Sequence, residues 1–294
     1  MTSSNAGLHT LNELGAEGVV ADALDAHAVN TALMKARPDA VIEERTSLPK
    51  RARIGWRTIE GDTSEDQEMR AAAERDRKVR LEGGRNLYEA SRAAGTKRYI
   101  VQSTGFFYGP GFGLATEEDP LASNASPAIS ASVATYTQIE GRVLGGDSMT
   151  GVALRYGFFY GPGTWFHKEG AVADQVRERK CPLLSSAHGV WSFVHVEDAA
   201  AATLAALDCP PGIYNVVDSD PSEMSIWLPA FAETVGASEP PQISEAEVLQ
   251  KLGPDFLYYA TGLRGASNSK ARRELGFTPR QLEWLRRLSP SRAA

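Results

Sequence analysis

The sequence predicts an α/β protein built on a parallel sheet. Helix and strand segments alternate from the first residues onward, the joints between them are short, and 294 residues suffice for a large core. Asn12 to Gly15 reads as a helix end, with Gly15 just past it. Gly18 to Asp22 reads as a short strand, and Asp25 as the N-cap of a helix through Val29, Leu33 and Met34 that stops at Arg37-Pro38. Asp39 to Ile42 is the next strand. Ala71 to Ala94 is expected as one long helix, because Val79, Gly83, Leu87, Ala90 and Ala94 fall at helical spacing. Its mixed charges from Glu74 to Glu82 are expected on a solvated face. Arg98 to Ser103 is a strand, a helix around Val133 to Leu144 leads to the strand Gly151 to Arg155, helices follow at 170–180 and 197–208, and Gly212 to Val217 is a strand. The tail from about 222 reads as mainly helical, with Pro-bounded turns, and no linker interrupts the chain.

Composition narrows the function classes. Apolar residues make up 42% and charged residues 23%, too apolar for disorder. A net charge of -6 carries no nucleic-acid signature. Two cysteines, Cys181 and Cys209, form neither a disulfide framework nor a metal cluster, and no metal is expected. No apolar run reaches the ~18 residues of a membrane span. Met1 to His9 is small and polar, so no signal peptide is expected and a cytoplasmic location is.

Five segments occur in a telling order: RYIVQST, GVALRYGFFYGPGT, WSFVHVEDAAAA, GIYNVVD and GASNSKARRELGF. On these the chain, from about Leu11 to its end, resembles the NAD-dependent epimerase/dehydratase family, the extended short-chain dehydrogenase/reductases. The resemblance implies a Rossmann-like, doubly wound parallel sheet with a small C-terminal substrate region. Residues 1–165 would form the NAD(P)-binding part, and 166–294 a mixed region holding a substrate lobe and the remaining sheet strands. The implied cofactor is NAD or NADP, lying across the carboxyl ends of the strands. The implied reaction is hydride transfer to or from nicotinamide on a small molecule. The long helix and the one near 133–144 resemble the pair that makes homodimers in the family.

The glycine-rich turn that would open this fold is not among the residues. Gly15-Ala16-Glu17-Gly18 precedes a strand rather than following one, so it presents no helix N-terminus to phosphate. Gly109, Gly111 and Gly113 read as turn glycines. The expectation is a fold lacking its first βα unit, through a misplaced start or a true deletion, with weak or absent NAD(P) binding. NAD and NADP cannot be told apart from what is present. On the adenine side, Asp22 and Ala23 match the family's Asp-hydrophobic pair, although Asp22 reads equally as a capping residue.

By resemblance Ser103, at the end of its strand, is the active-site serine that hydrogen-bonds the substrate oxygen. Tyr136 matches the tyrosine of the family's Tyr-x-x-x-Lys, with Glu140 where lysine is expected. Tyr136 and Glu140 at i,i+4 share a helix face, and a carboxylate there would raise the tyrosine pKa. Ser103, Tyr136 and Glu140 are therefore the catalytic candidates, with the usual proton relay altered. Arg80 falls where the family has a catalytic Asn and is expected to be a surface arginine.

The nicotinamide side would be held by Gln102, Tyr156, Gly157 and Phe158. The segment Phe106 to Gly111 recurs as Phe158 to Gly163, each copy directly after a strand. Phe106, Tyr108, Tyr160 and Trp165 are accordingly expected to wall an apolar substrate pocket, and Tyr108 or Tyr160 can stand in for Tyr136 as acid. His195 is expected to be structural, and Asn268, Lys270, Arg272 and Arg273 to shape the late turn and helix. The leading expectation is an NAD(P)-dependent oxidoreductase or epimerase-like enzyme acting on a small molecule that the sequence does not name, the aromatic loops leaning slightly toward an uncharged, non-nucleotide one. A cofactor-free binding or regulatory protein and a redox-independent lyase or isomerase are the alternatives.

Overall fold

The computed structural model describes residues 1–47, 64–146 and 148–285. Its main sheet has four strands in the order β1 Ala40–Glu43, β2 Arg98–Thr104, β3 Thr150–Tyr156 and then Gly212–Val216, all parallel. Parallel neighbours need crossovers that return the chain to the same end of the sheet. Helices supply them: α3 Ser64–Lys78 and α4 Gly84–Ala93 lead to β2, α5 Pro127–Leu144 to β3, and, past α6 Ala171–Arg177, α7 Val196–Ala205 to the last strand. Both faces of the sheet are covered, so the central strands are buried almost throughout. Tyr99, Val101 and Ala153 pack under α2 Ala26–Ala36, α4 and α5, through Val29, Leu33, Leu87 and Ile139. Ile100, Val152 and Leu154 pack on the opposite face against Ala199, Ala202 and Ala271. The predicted α/β architecture is therefore present, with helices on both sides.

The first helix, α1 Asn5–Glu13, starts at Ser4, whose side chain accepts from the Gly7 N–H, and gives way to Gly15 at φ +77°. The strand expected at Gly18 to Asp22 is reduced to one parallel bridge between Val20 and Thr2. A strand needs a laterally paired neighbour, and among the described residues Val20 finds only Thr2. Asp25 caps α2 as predicted, accepting from the N–H groups of His27 and Ala28, both at 3.0 Å.

The expected long helix differs more. Helix α3 begins at Ser64, and a π-helical turn, Val79–Gly83, separates it from α4. The Gly83-Gly84 pair sits where this turn meets its neighbours. A Cβ on Gly83 would lie 3.0 Å from Ala23 Cβ, and one on Gly84 2.9 Å from Glu43 Oε1. The wider turn changes which side chains face inward, with consequences for Arg80 described below.

A second core lies beyond the sheet. A short strand, β4 Phe158–Tyr160, pairs in parallel with Phe193–His195. Around it Phe158, Phe166, Trp191, Phe193, Trp227, Phe231 and Trp284 form one aromatic cluster. This core draws in Phe107, Ile129 and Val133 from earlier in the chain. Among the described residues no helix is long and apolar enough to cross a membrane.

Candidate active site

Where β2 and β3 end, their carboxyl edges open onto a cavity of about 1160 Å³. Gln102, Ser103 and Thr104 line it from β2, Tyr156, Gly157 and Phe158 from β3 and the start of β4, and Tyr136 from α5. Phe106 and Trp165 add apolar wall. The two copies of the repeated hexapeptide meet here: the rings of Phe106 and Phe158 stack at 4.0 Å between centroids, 17° from parallel, and Phe158 stacks on Trp191 at 4.2 Å.

Tyr108 and Tyr160, predicted to face this pocket, do not line it. Both are fully buried. Tyr108 hydrogen-bonds within the sheet edge, and Tyr160 packs edge-on against His195 and Trp284 at 5.0 and 5.2 Å. A repeat of sequence therefore does not make every aromatic in it face the same space: Phe106 and Phe158 line the cavity, and Tyr108 and Tyr160, two residues further on in each copy, do not. Gly157 has a backbone reason to be glycine: a Cβ there would sit 2.5 Å from the Ser192 carbonyl oxygen.

Glu140 corrects a second expectation. It is buried and does not line the cavity; its carboxylate is gripped by Arg155, Nε to Oε1 and Nη2 to Oε2, each at 2.7 Å. Ser103 donates its hydroxyl proton to the same Oε1 at 2.6 Å. Arg155 Nη1 donates to Tyr108 at 2.9 Å, and Tyr108 donates onward to Asn215 Oδ1 at 2.6 Å. Burial works against the charge on Arg155, but its hydrogen bonds to Glu140 and Tyr108 prevail and its pKa is raised. Glu140 is thus one half of a buried ion pair that joins α5 to β3. With its proton committed, Ser103 offers the cavity lone pairs rather than a donor.

Tyr136, one turn before Glu140, takes the opposite role. It faces the cavity, and burial raises its pKa while Arg80 lowers it and Asp76 raises it. Arg80, expected on the surface, is buried and lines the same cavity. Its guanidinium carbon lies 5.3 Å from the centre of the Tyr136 ring, and its Nε donates to Asp76 Oδ2 at 2.7 Å. Asp76 Oδ1 in turn accepts the Ser47 N–H at 2.5 Å. The surrounding run of mixed charges hid this residue; its place seven residues before Leu87 and the Asp76/Arg80 pair at i,i+4 were the available signals.

The remaining expected positions are structural or distant. Asp22 turns its carboxylate onto the Leu24 N–H at 2.9 Å, and the Ala23 carbonyl accepts from Asn86 at 3.0 Å; neither residue lines the cavity. His195 is buried and caps α7 through Nδ1, and Asn268 donates to the carbonyls of Val217 and Asp218, as expected. Cys181 and Cys209 are free and buried, and among the described residues no group of three or more His, Cys, Asp or Glu can hold a metal.

The NAD dependent epimerase/dehydratase model matches residues 2–216. The chain belongs to this family. A 3-diazoavenalumate denitrifying reductase from Streptomyces sp is 36% identical over 269 residues, which cover 90% of this chain and 84% of that protein. The UDP-glucose 4-epimerase of Thermus thermophilus, solved with NAD, shares the fold at TM-score 0.62 and 25% identity, covering 94% of this chain and 90% of its own. DesIV, a dTDP-glucose 4,6-dehydratase from Streptomyces venezuelae solved with NAD and TYD, matches at TM-score 0.68 and 18% identity over 97% and 84% of the two chains.

The residues fit the family's cofactor unevenly. All four positions assigned to its nicotinamide half, Gln102, Tyr156, Gly157 and Phe158, line the cavity. Gln102 Oε1 and Thr104 Oγ1 are buried there with no partner among the described residues, which leaves polar atoms for a bound group to satisfy. The pyrophosphate half has no counterpart: among the described residues no glycine-rich turn follows a strand and opens a helix.

Proposed function

We propose that this chain is an NAD(P)-dependent reductase of a planar aromatic small molecule. The apolar aromatic wall beside Tyr136, made by Phe106, Phe158 and Trp165, carries the reading, since it favours an apolar aromatic substrate over a sugar rich in hydroxyls. The cavity exceeds the roughly 300–1,000 Å³ of a single-ligand site, leaving room for substrate and nicotinamide side by side. The Streptomyces relative is named as a reductase of a diazo compound, which agrees with reduction rather than epimerisation.

A nicotinamide held by Gln102, Tyr156, Gly157 and Phe158 would supply hydride. Tyr136 supplies the proton, because Ser103 has given its own to Glu140. Ser103 positions a donating group of the substrate through its lone pairs. Phe106, Phe158 and Trp165 exclude water from the reacting face.

The test is oxidation of NADH or NADPH by the purified chain against aromatic carbonyl and diazo-aromatic compounds. Turnover of at least one, lost in Tyr136→Phe, is expected. Product formation that persists after all nicotinamide is removed would overturn the reading in favour of a lyase or isomerase. The uneven fit also predicts weak cofactor binding by residues 1–294: calorimetry with NAD or NADP should give no dissociation constant in the micromolar range, and one that tight refutes the expectation.

A further inference from the structure

The usual partner of a short-chain reductase tyrosine is the lysine four residues on, and here that place holds Glu140, spent on Arg155 and Ser103. Helix α5 therefore offers Tyr136 no cation at that place. Among the described residues the cavity lining contains three arginines, Arg70, Arg77 and Arg80; Arg70 and Arg77 are exposed, and Arg77 pairs with Glu74 at 2.7 Å. Arg80 is the buried one, and the π turn Val79–Gly83 delivers it against the Tyr136 ring.

We propose that Arg80 supplies, from a different helix, the positive charge that steadies the deprotonated form of Tyr136. This deepens the reading of Tyr136 as proton donor. When the phenol gives up its proton, the charge left on the ring lies beside a guanidinium held within the ~6 Å range of cation–π contact. Attraction to a neutral ring is modest; attraction to a phenolate is a full charge pair in a partly desolvated place. Arg80 thus favours the product side of the proton transfer, as an electrostatic positioning residue that need not touch the substrate.

Among the described residues, the other groups packed around Tyr136 do not supply a positive charge. Asp76, on α3, is the opposing carboxylate, but it holds Arg80 in place and also accepts the Ser47 N–H. Tyr259, from the C-terminal turn Tyr258–Gly262, is a neutral phenol whose pKa burial raises further. Glu140, on α5, is neutralised by its bidentate bond to Arg155. Arg80 is then the cation that distinguishes this site, and its i,i+4 tether to Asp76 fixes which way the guanidinium faces.

The experiment needs neither substrate nor cofactor, so it can fail independently of the proposed reductase activity. Tyr136 is replaced by 3,5-difluorotyrosine, whose fluorines bring the phenol into the range where a protein stays folded, and its titration is followed by fluorine NMR. In Arg80→Met the midpoint is expected to rise by about one pH unit or more, the scale of a lost opposite charge at this distance. In Arg80→Lys, which keeps the charge, it should return most of the way to the parent value. An unchanged midpoint in Arg80→Met, or an equal rise in Arg80→Lys, overturns the proposal. A thermal melt on the same samples shows whether each variant is folded. If Arg80→Met does not fold, Arg80→Gln decides, because its amide can still donate to Asp76 while the positive charge is gone: the midpoint should rise there too, and an unchanged midpoint refutes the role.

Discussion

Glu140 shows how the surroundings of one side chain can depart from those its position in the sequence suggests. It stands where a catalytic lysine is expected, one helical turn from Tyr136, yet its carboxylate turns to Arg155 and away from the cavity. Both partners are buried, so removing one leaves a desolvated charge uncompensated. Glu140→Gln is expected to cost about 3–5 kcal/mol of folding stability, measured by urea unfolding. A loss below about 1 kcal/mol would place the pair with surface ion pairs, which it does not resemble. Replacing both residues by leucine and methionine should recover part of the loss, because an apolar pair of similar volume carries no buried charge.

At the scale of elements, the site depends on how closely α5 is pressed to β3. Gly151 makes that approach possible: a Cβ there would lie 2.0 Å from the Val143 carbonyl oxygen, on the backbone of α5. Backbone cannot swing aside as a flexible side-chain tip can. Gly151→Ala should therefore lose at least about 1–3 kcal/mol through overpacking, and it should do so although alanine suits a strand better than glycine. Full retention of the melting temperature would count against this packing. The π turn between α3 and α4 works on the same scale. It brings Arg80 to the cavity while leaving its neighbours Glu74, Arg77 and Lys78 paired in solvent.

For the molecule as a whole, stability should depend on pH through Asp218. This residue is buried where the last sheet strand leaves for the aromatic core, and its Oδ2 has no partner among the described residues. Burial pushes its pKa up to about 8, Asp220 adds to the rise, and the Asp220 N–H opposes it. The unfolded value is about 3.9. Between these two values the native chain keeps a proton that the unfolded chain has released, so stability falls as pH rises from about 4 to about 8 and levels off beyond. Asp218→Asn cannot ionise and should show a flatter profile, with its advantage over the parent greatest at pH 8 and above. Denaturant unfolding at pH 5 and pH 8 checks this; an identical slope in the two proteins would contradict it.

The sequence by itself determined what depends on neighbours along the chain. Asp25 before an apolar-periodic segment, Arg37-Pro38 after it, and the runs around Tyr99–Val101 and Val152–Leu154 carry their own caps, stops and burial. The order of the five segments was enough for family and fold class. Ser103 and Tyr136 at the cavity, and the aromatic meeting of Phe106 with Phe158, were also legible there. Only the tertiary structure decided which way the polar side chains turn. Arg155 reaches Tyr108 across 47 positions and Tyr108 reaches Asn215 across 107, so no local spacing reveals that this tyrosine belongs to a buried network. Arg80 was hidden for a different reason: it lies in the run of mixed charges from Glu74 to Glu82, which reads as a solvated face, and only the folded chain buries it against Tyr136 with Asp76 as its partner. A buried charge must find its partner wherever the fold supplies one, and that choice is made in three dimensions.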